Sequence, residues 1–162
     1  MTGKILSVLS GAGFTYETTK LLQPIATHSS FVFLTTEHGG TPGSGEIPMG
    51  ECHLVPSFPT VTNPSKINAI KAVWRTFVLA RRVMRVTQPD MAVVVGCSHA
   101  VPVFVAARTV GLSTVFVESI TRSDQLSMTG RLVRALRLAD LFIVQWPELQ
   151  RRNVGTQLGS IL

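Results

Sequence analysis

Three short stretches of this chain hold the residue types that bind phosphate or move protons. The first is Gly11-Ala12-Gly13-Phe14-Thr15-Tyr16-Glu17. A glycine pair directly after a strand lets backbone N–H groups and a helix N-terminus approach a phosphate. Gly11, Gly13 and Thr15 are therefore candidate acceptor- or phosphate-binding positions, and Glu17 is a candidate catalytic carboxylate. A dinucleotide fingerprint needs a third glycine near Tyr16, which is missing, although Glu37 stands where a ribose-binding acid would. The stretch reads as a site for a lipid-linked phosphate or sugar acceptor, with a ligand-free turn as the plain alternative. The second stretch is Gly96-Cys97-Ser98-His99-Ala100-Val101-Pro102. Ser98 and the following helix N-terminus can hold an anion. His99 is a candidate general base, because imidazole titrates near neutrality; the alternative is a polar helix cap. The third is Glu118 to Arg122. Glu118, at the carboxyl end of a strand, can bond acceptor hydroxyls as a catalytic residue or link structurally to Arg122, itself a candidate phosphate ligand. Cys52, His53, Cys97 and His99 match no zinc spacing, so no metal is expected. The two cysteines read as small buried residues.

These stretches must be held by strand ends. Short apolar runs at 4–10, 31–36, 91–96, 113–118 and 141–145 read as buried strands, with 52–56 a further candidate. Helical spacing marks 15–27, 66–86, 99–110 and 128–138, the last capped by Ser127. Pro102 is tolerated in a first helical turn. Residues 37–50 form a long loop, and Pro56, Pro59 and Pro64 mark an extended connection. Strands alternating with helices imply a mostly parallel sheet with helices on both faces. The expectation is one α/β, Rossmann-like domain over 1–162. Ligands then bind beyond the carboxyl ends of the strands, at loops 11–17, 37–50, 96–102 and 118–127.

Lys and Arg number 15 against 9 Asp and Glu, a net charge of +6. The excess favours anionic partners. Neither a zinc finger nor a helix-turn-helix pattern appears, so nucleic acid is not expected. On a helical wheel of 66–86, Lys71, Arg75 and Arg82 fall within about 40° of each other. Trp74 and Val78 flank them, and Ile70, Val73, Phe77, Ala80 and Met84 are expected to face the core. Lys71, Trp74, Arg75 and Arg82 thus read as a membrane-facing surface for anionic lipid, against the alternative of a solvated basic face. There is no apolar run of about 18 residues, and the start Met1-Thr2-Gly3-Lys4 lacks a signal-peptide pattern. Any membrane contact is expected to be peripheral.

One further block is more specific. It reads Val117-Glu118-Ser119-Ile120-Thr121-Arg122, then Leu126-Ser127-Met128-Thr129-Gly130-Arg131-Leu132, then Ala139-Asp140 and Val144-Gln145-Trp146-Pro147-Glu148-Leu149. Its order and spacing resemble the Alg-fourteen family and the bacterial PssD-type proteins of exopolysaccharide synthesis. Pro89-Asp90, Gly96 and Val101-Pro102 fit the family's middle motif. The resemblance implies the N-terminal half of a MurG-like GT-B glycosyltransferase. A separate donor-binding subunit of the Alg-thirteen or PssE type would hold most of the UDP-sugar, and this chain would bind no cofactor of its own. The implied acceptor is a lipid-diphosphate-linked sugar on a cytosolic membrane face, with the bacterial inner membrane expected. Trp146 and Pro147 are expected to form a hinge or partner contact. The competing expectation is a membrane scaffold that enhances a complete transferase. Where the family's first loop reads GSGGHTxE, this chain has Ala12 for a glycine and Phe14 for the histidine. A base would then have to come from Glu17, His99 or the partner.

Overall fold

The computed structural model describes residues 3–58 and 66–160. The elements are β1 (Gly3–Leu9), α1 (Ala12–Leu22), β2 (Ser29–Thr35), β3 (Gly50–Leu54), α2 (Lys66–Thr87), β4 (Met91–Val95), α3 (Ala100–Thr109), β5 (Ser113–Val117), α4 (Met128–Ala135), β6 (Leu141–Val144), α5 (Pro147–Arg152) and β7 (Gln157–Leu158). All strand pairs are parallel. Their order across the sheet is β3-β2-β1-β4-β5-β6-β7. β1 and β2 are buried over their carboxyl-terminal halves on both faces, as strands covered on both faces must be.

The chain winds outward from β1 to β3 and then returns to β4 on the other side of β1. Right-handed crossovers therefore place α1 on one face and α2, α3 and α4 on the other. The larger core lies under α2 to α4 and includes Leu6, Val8, Val94, Phe104 and Phe116. A smaller core of Ile5, Leu9, Leu22, Phe31, Phe33 and Val93 lies on the opposite face. The carboxyl ends of β1 and β4 diverge at this switch point, which is where such sheets bind ligands.

The expected α/β architecture holds, with three corrections. Residues 12–17 are not a loop: α1 begins at Ala12, with Gly11 as its N-cap at φ 108°, a backbone conformation that glycine adopts without penalty. Cys52 is exposed, because β3 is an edge strand. The third correction concerns α2. Its buried residues are Ala72, Thr76, Ala80, Val83, Met84 and Thr87. Ile70 and Val73, expected in the core, are 69% and 40% exposed. The reason is packing distance. α2 lies along α3, and small side chains at its contact face let the two helices approach closely. The bulkier residues are turned outward. Two elements were not expected: α5, which starts at Pro147 in the first-turn position that suits proline, and the short edge strand β7. The extended connection through Pro59 and Pro64 lies outside the described residues.

Candidate functional site

At the switch point a cleft of about 410 Å³ opens, lined by Ser10, Gly11, Gly13, Phe14, Glu17, His38, Ser119 and Thr121. Its floor is the N-terminus of α1. No side chain among the described residues caps that helix, which leaves its first-turn N–H groups without a side-chain acceptor at the positive end of the helix dipole. Thr15 does not line the cleft but braces it. Its hydroxyl accepts from the Gly11 N–H at 3.0 Å and donates to the Gly39 carbonyl at 2.9 Å. The loop after β2 is thereby drawn over α1.

Glu17 lines the cleft and is nearly buried. Its Oε1 accepts from the Ser119 hydroxyl at 2.7 Å, and its Oε2 accepts from the Ile120 N–H at 3.0 Å. The carboxylate thus straps α1 to the loop that follows β5. Two side chains beyond β6 hold the same loop. Gln145 Nε2 donates to the Glu118 carbonyl at 2.9 Å, and Trp146 Nε1 donates to the Ile120 carbonyl at 2.7 Å. Trp146, expected as a hinge or partner contact, is the N-cap residue of α5 and remains partly exposed beside this loop; Pro147 opens that helix.

Glu118 is not in the cleft. Its side chain is fully buried, which corrects its expected place lining the cleft. Oε1 accepts from the Ser119 N–H, and Oε2 accepts from both the N–H and the hydroxyl of Ser127. Ser127 in turn caps α4 by accepting from the Gly130 N–H. Gly130 leaves room for this arrangement, since a Cβ there would lie 2.2 Å from Glu118 Oε2. Burial pushes the Glu118 carboxyl above its ordinary range, while the Ser127 and Ser119 bonds and the charge of Arg122 pull it down. The expected Glu118–Arg122 link is therefore only a charge effect; the hydrogen bonds go to serines. Arg122 itself is exposed.

His99 is also sealed off from the cleft. Its ring stacks on Phe58 with centroids 4.0 Å apart, and Nε2 donates to the Pro56 carbonyl at 2.9 Å. Nδ1 is buried with no hydrogen-bond partner among the described residues. Burial lowers the His99 pKa, with the Pro56 bond opposing it. A neutral ring that pins the exit of β3 to the start of α3 is what this geometry supports. Ser98 is exposed on that turn, outside the cleft lining. Cys97 is buried, which raises its thiol to about 11.

The structure therefore gathers Gly11, Gly13 and Glu17 into one cleft, braced by Thr15. It leaves Ser98, His99, Glu118 and Arg122 outside. From the Glu118–Arg122 loop, expected to line the cleft, it is Ser119 and Thr121 that do so, and the structure adds Ser10 and His38, to which the sequence reading gave no individual role. His38 is the histidine among the lining residues. It lies three residues beyond β2, beside Glu37, in the 37–50 loop that the sequence marks as a ligand-binding loop.

A family model described as "Oligosaccharide biosynthesis protein Alg14 like" matches residues 56–162. The chain belongs to that family. The human protein named UDP-N-acetylglucosamine transferase subunit ALG14 is 35% identical over 55% of this chain and 42% of its own length. This Alg14-like chain thus spans less than half the length of that relative. Among solved structures, Acinetobacter baumannii MurG superposes with a TM-score of 0.70 at 14% identity, over 96% of this chain and 45% of MurG. The SsfS6 glycosyltransferase of Streptomyces sp. SF2575 gives 0.63 at 13% identity, over 99% of this chain and 54% of that one. At these identities the likeness is one of fold, that of the N-terminal half of a GT-B glycosyltransferase.

Two measurements check the roles of the buried groups in this Alg14-like domain. Glu118→Gln turns an amide N–H₂ toward a donor whichever way it is flipped, so it should cost about 1–3 kcal/mol of unfolding free energy. Gly130→Ala should destabilise too, by displacing the same carboxylate. Denaturant unfolding of both variants reads this, and unchanged midpoints would refute the buried strut. For His99 the folded pKa lies below the unfolded value. Its contribution to stability is then present above about pH 6.5 and is lost as pH falls from there toward the folded pKa. His99→Gln keeps a donor for the Pro56 carbonyl but cannot titrate. Its Tm should fall less than the parent's between about pH 7 and about pH 5; parallel falls would contradict a buried neutral imidazole.

Proposed function

We propose that the chain is the acceptor-side half of a two-chain glycosyltransferase that uses a UDP-sugar. The observation that carries this reading is the cleft at the carboxyl ends of β1, β4 and β5, built on a fold that covers about half of a two-domain transferase. The human relative's designation as a transferase subunit supports a second polypeptide, and the donor nucleotide would be held mainly there. On this reading an acceptor hydroxyl attacks the anomeric carbon of the donor. The glycosidic bond forms as the bond to UDP breaks, and a base takes the hydroxyl proton. The α1 N-terminus and nearby N–H donors position the acceptor, and preorganised dipoles stabilise developing charge without reorganising.

Of the proton acceptors that line the cleft, Glu17 already has both oxygens engaged in the α1–loop strap. His38 is exposed and is assigned the base on this side of the site. The acceptor carries a lipid-linked diphosphate, and α2 is the surface that meets the membrane. No helix among the described residues is long and apolar enough to cross a membrane. Ile67, Ile70, Trp74 and Val78 form an exposed stripe along α2, with Trp74 64% exposed, and Lys71, Arg75 and Arg82 are exposed beside it. Apolar and basic side chains interleaved on one helix face suit an anionic lipid interface. A groove of about 610 Å³ runs beside this stripe, between Leu54, Val55 and Pro56 and Trp74, Val78 and Arg82. Glu37 also lines it, and the next residue, His38, lines the cleft. A lipid stem lying in this groove would lead its headgroup to the cleft. The membrane side would be the cytosolic face of a bacterial inner membrane, with exopolysaccharide or lipid-linked oligosaccharide as the product class.

Two experiments test the proposal. The purified chain should show no transfer from UDP-sugars alone and should gain it with a co-purifying donor-binding subunit. His38→Gln in that pair should lower kcat by about 10²–10⁴ with the complex intact. Robust turnover by the lone chain would sink the two-chain reading. For the membrane surface, each basic residue near an anionic bilayer contributes about 1 kcal/mol. Changing Lys71, Arg75 and Arg82 together to Glu should therefore lower partitioning to phosphatidylglycerol-rich vesicles by at least about a hundredfold. Unchanged co-sedimentation would remove α2 as the membrane face.

A further inference from the structure

The ring of Phe14 occupies the cleft in an arrangement that phosphate binding does not require. Phe14 is the third residue of α1 and is 36% exposed. Among the side chains that line the cleft, it is the only large apolar one. One edge of the ring is seated on Gly96. A Cβ at position 96 would lie 2.7 Å from Phe14 Cε1, 3.1 Å from Cδ1 and 3.0 Å from Ser119 Cβ. Gly96 also has φ +53°, in the left-handed region where L side chains are disfavoured. The chain therefore keeps a backbone-only position where it holds the edge of an aromatic ring. The other side chains that line the cleft with that ring are polar: Ser10, Glu17, His38, Ser119 and Thr121, with Ser119 hydrogen-bonded to both Glu17 and Thr121.

A fixed aromatic face with hydrogen-bonding groups around it fits an amphipathic ring. Pyranoses are such rings. Their axial C–H bonds form an apolar face, and their hydroxyls project from the periphery. A bare phosphate gains nothing from the phenyl ring. A flat nucleobase is best held between two apolar walls, and this cleft offers one. We propose that Phe14, backed by Gly96, is the stacking platform for the pyranose ring of the acceptor, and so a residue that selects which sugars the cleft accepts. The proposal rests on the acceptor-side reading above and adds the chemical class and the contact surface.

The test is ligand-detected saturation-transfer NMR on the full chain with methyl β-glucopyranoside, methyl β-galactopyranoside and the methyl β-glycoside of N-acetylglucosamine. Uridine monophosphate serves as the comparison ligand. Saturation should reach the axial ring hydrogens of at least one glycoside. Phe14→Tyr should keep this signal. Phe14→Leu keeps apolar bulk against Gly96 but has no aromatic face, and should weaken binding about fivefold. Thermal melts of the two variants establish that both are folded. Equal binding by the parent and Phe14→Leu would overturn the platform. So would the absence of saturation with every glycoside, or a preference for uridine monophosphate over all of them. Turnover by the reconstituted pair alongside any of those results would overturn the platform alone. Absence of turnover despite Phe14-dependent glycoside binding would instead count against the two-chain reading and leave the platform standing.

Discussion

One carboxylate joins the two sides of the cleft. Glu17 belongs to the second turn of α1, and its partners Ser119 and Ile120 lie 102 and 103 residues further along the chain. Hydrogen bonds to a charged group contribute about 1.5–3 kcal/mol each when shielded, enough to hold a loop that has no secondary structure of its own. Gln145 and Trp146 fix the same loop from the far side by donating to its carbonyls. The peptide units from Glu118 to Thr121 are therefore determined by α1, β6 and α5 together. Catalytic geometry benefits from such bracing, because small displacements of positioning groups cost large factors in rate. It also limits what Glu17 can do. A carboxylate whose two oxygens each hold a neighbour serves as a strut between α1 and the loop after β5.

Glu118 does the same work one layer deeper. Its burial raises its pKa, so the ionised form is held at a cost that the Ser119 and Ser127 donors offset. The result is a rigid path from the end of β5 to the capped start of α4. Together the two carboxylates define the loop 118–127, Glu17 from the cleft side and Glu118 from the core. The residues between them are thereby free to be polar and exposed at the rim.

Much of this architecture is legible in the sequence, and what is not follows a physical pattern. Runs such as Met91–Val95 and Leu141–Val144 are apolar on both faces, and nothing but a buried strand suits them at that length. Ser127 announces the α4 cap because the capping bond is local. The faces of α2 are harder. A helical wheel ranks side chains by hydrophobicity, whereas packing against α3 selects them by size, and so Ala72, Thr76 and Ala80 go in while Ile70 and Trp74 stay out. Glu118 and His99 read as reactive because of their types and strand-end positions. Burial decides otherwise, and burial depends on contacts to Ser127, Pro56 and Phe58 that no local pattern reveals. For His38 the sequence marks only the loop, 37–50, because a glycine-rich segment gives no sign of where it folds back. That information lies in Gly39, where a Cβ would sit 2.0 Å from the Leu9 carbonyl, so the loop can close over β1 only with glycine there.

Another glycine, Gly96, accommodates the chain's departure at position 14. The pattern that residues 10–17 resemble places a histidine there, over the positive end of α1. The helix dipole favours the neutral imidazole at such a position. Here the position holds a phenyl ring, and Gly96 gives it the space it needs. A histidine lines the cleft from the loop after β2, because Gly39 lets that loop lie against β1. His38 is thereby set beside Gly11, whose missing Cβ would lie 3.1 Å from the His38 carbonyl and 3.3 Å from its Cβ. The two features are separately conditioned on glycine: a ring at 14 requires a bare backbone at 96, and the approach of the loop that carries His38 to β1 requires one at 39.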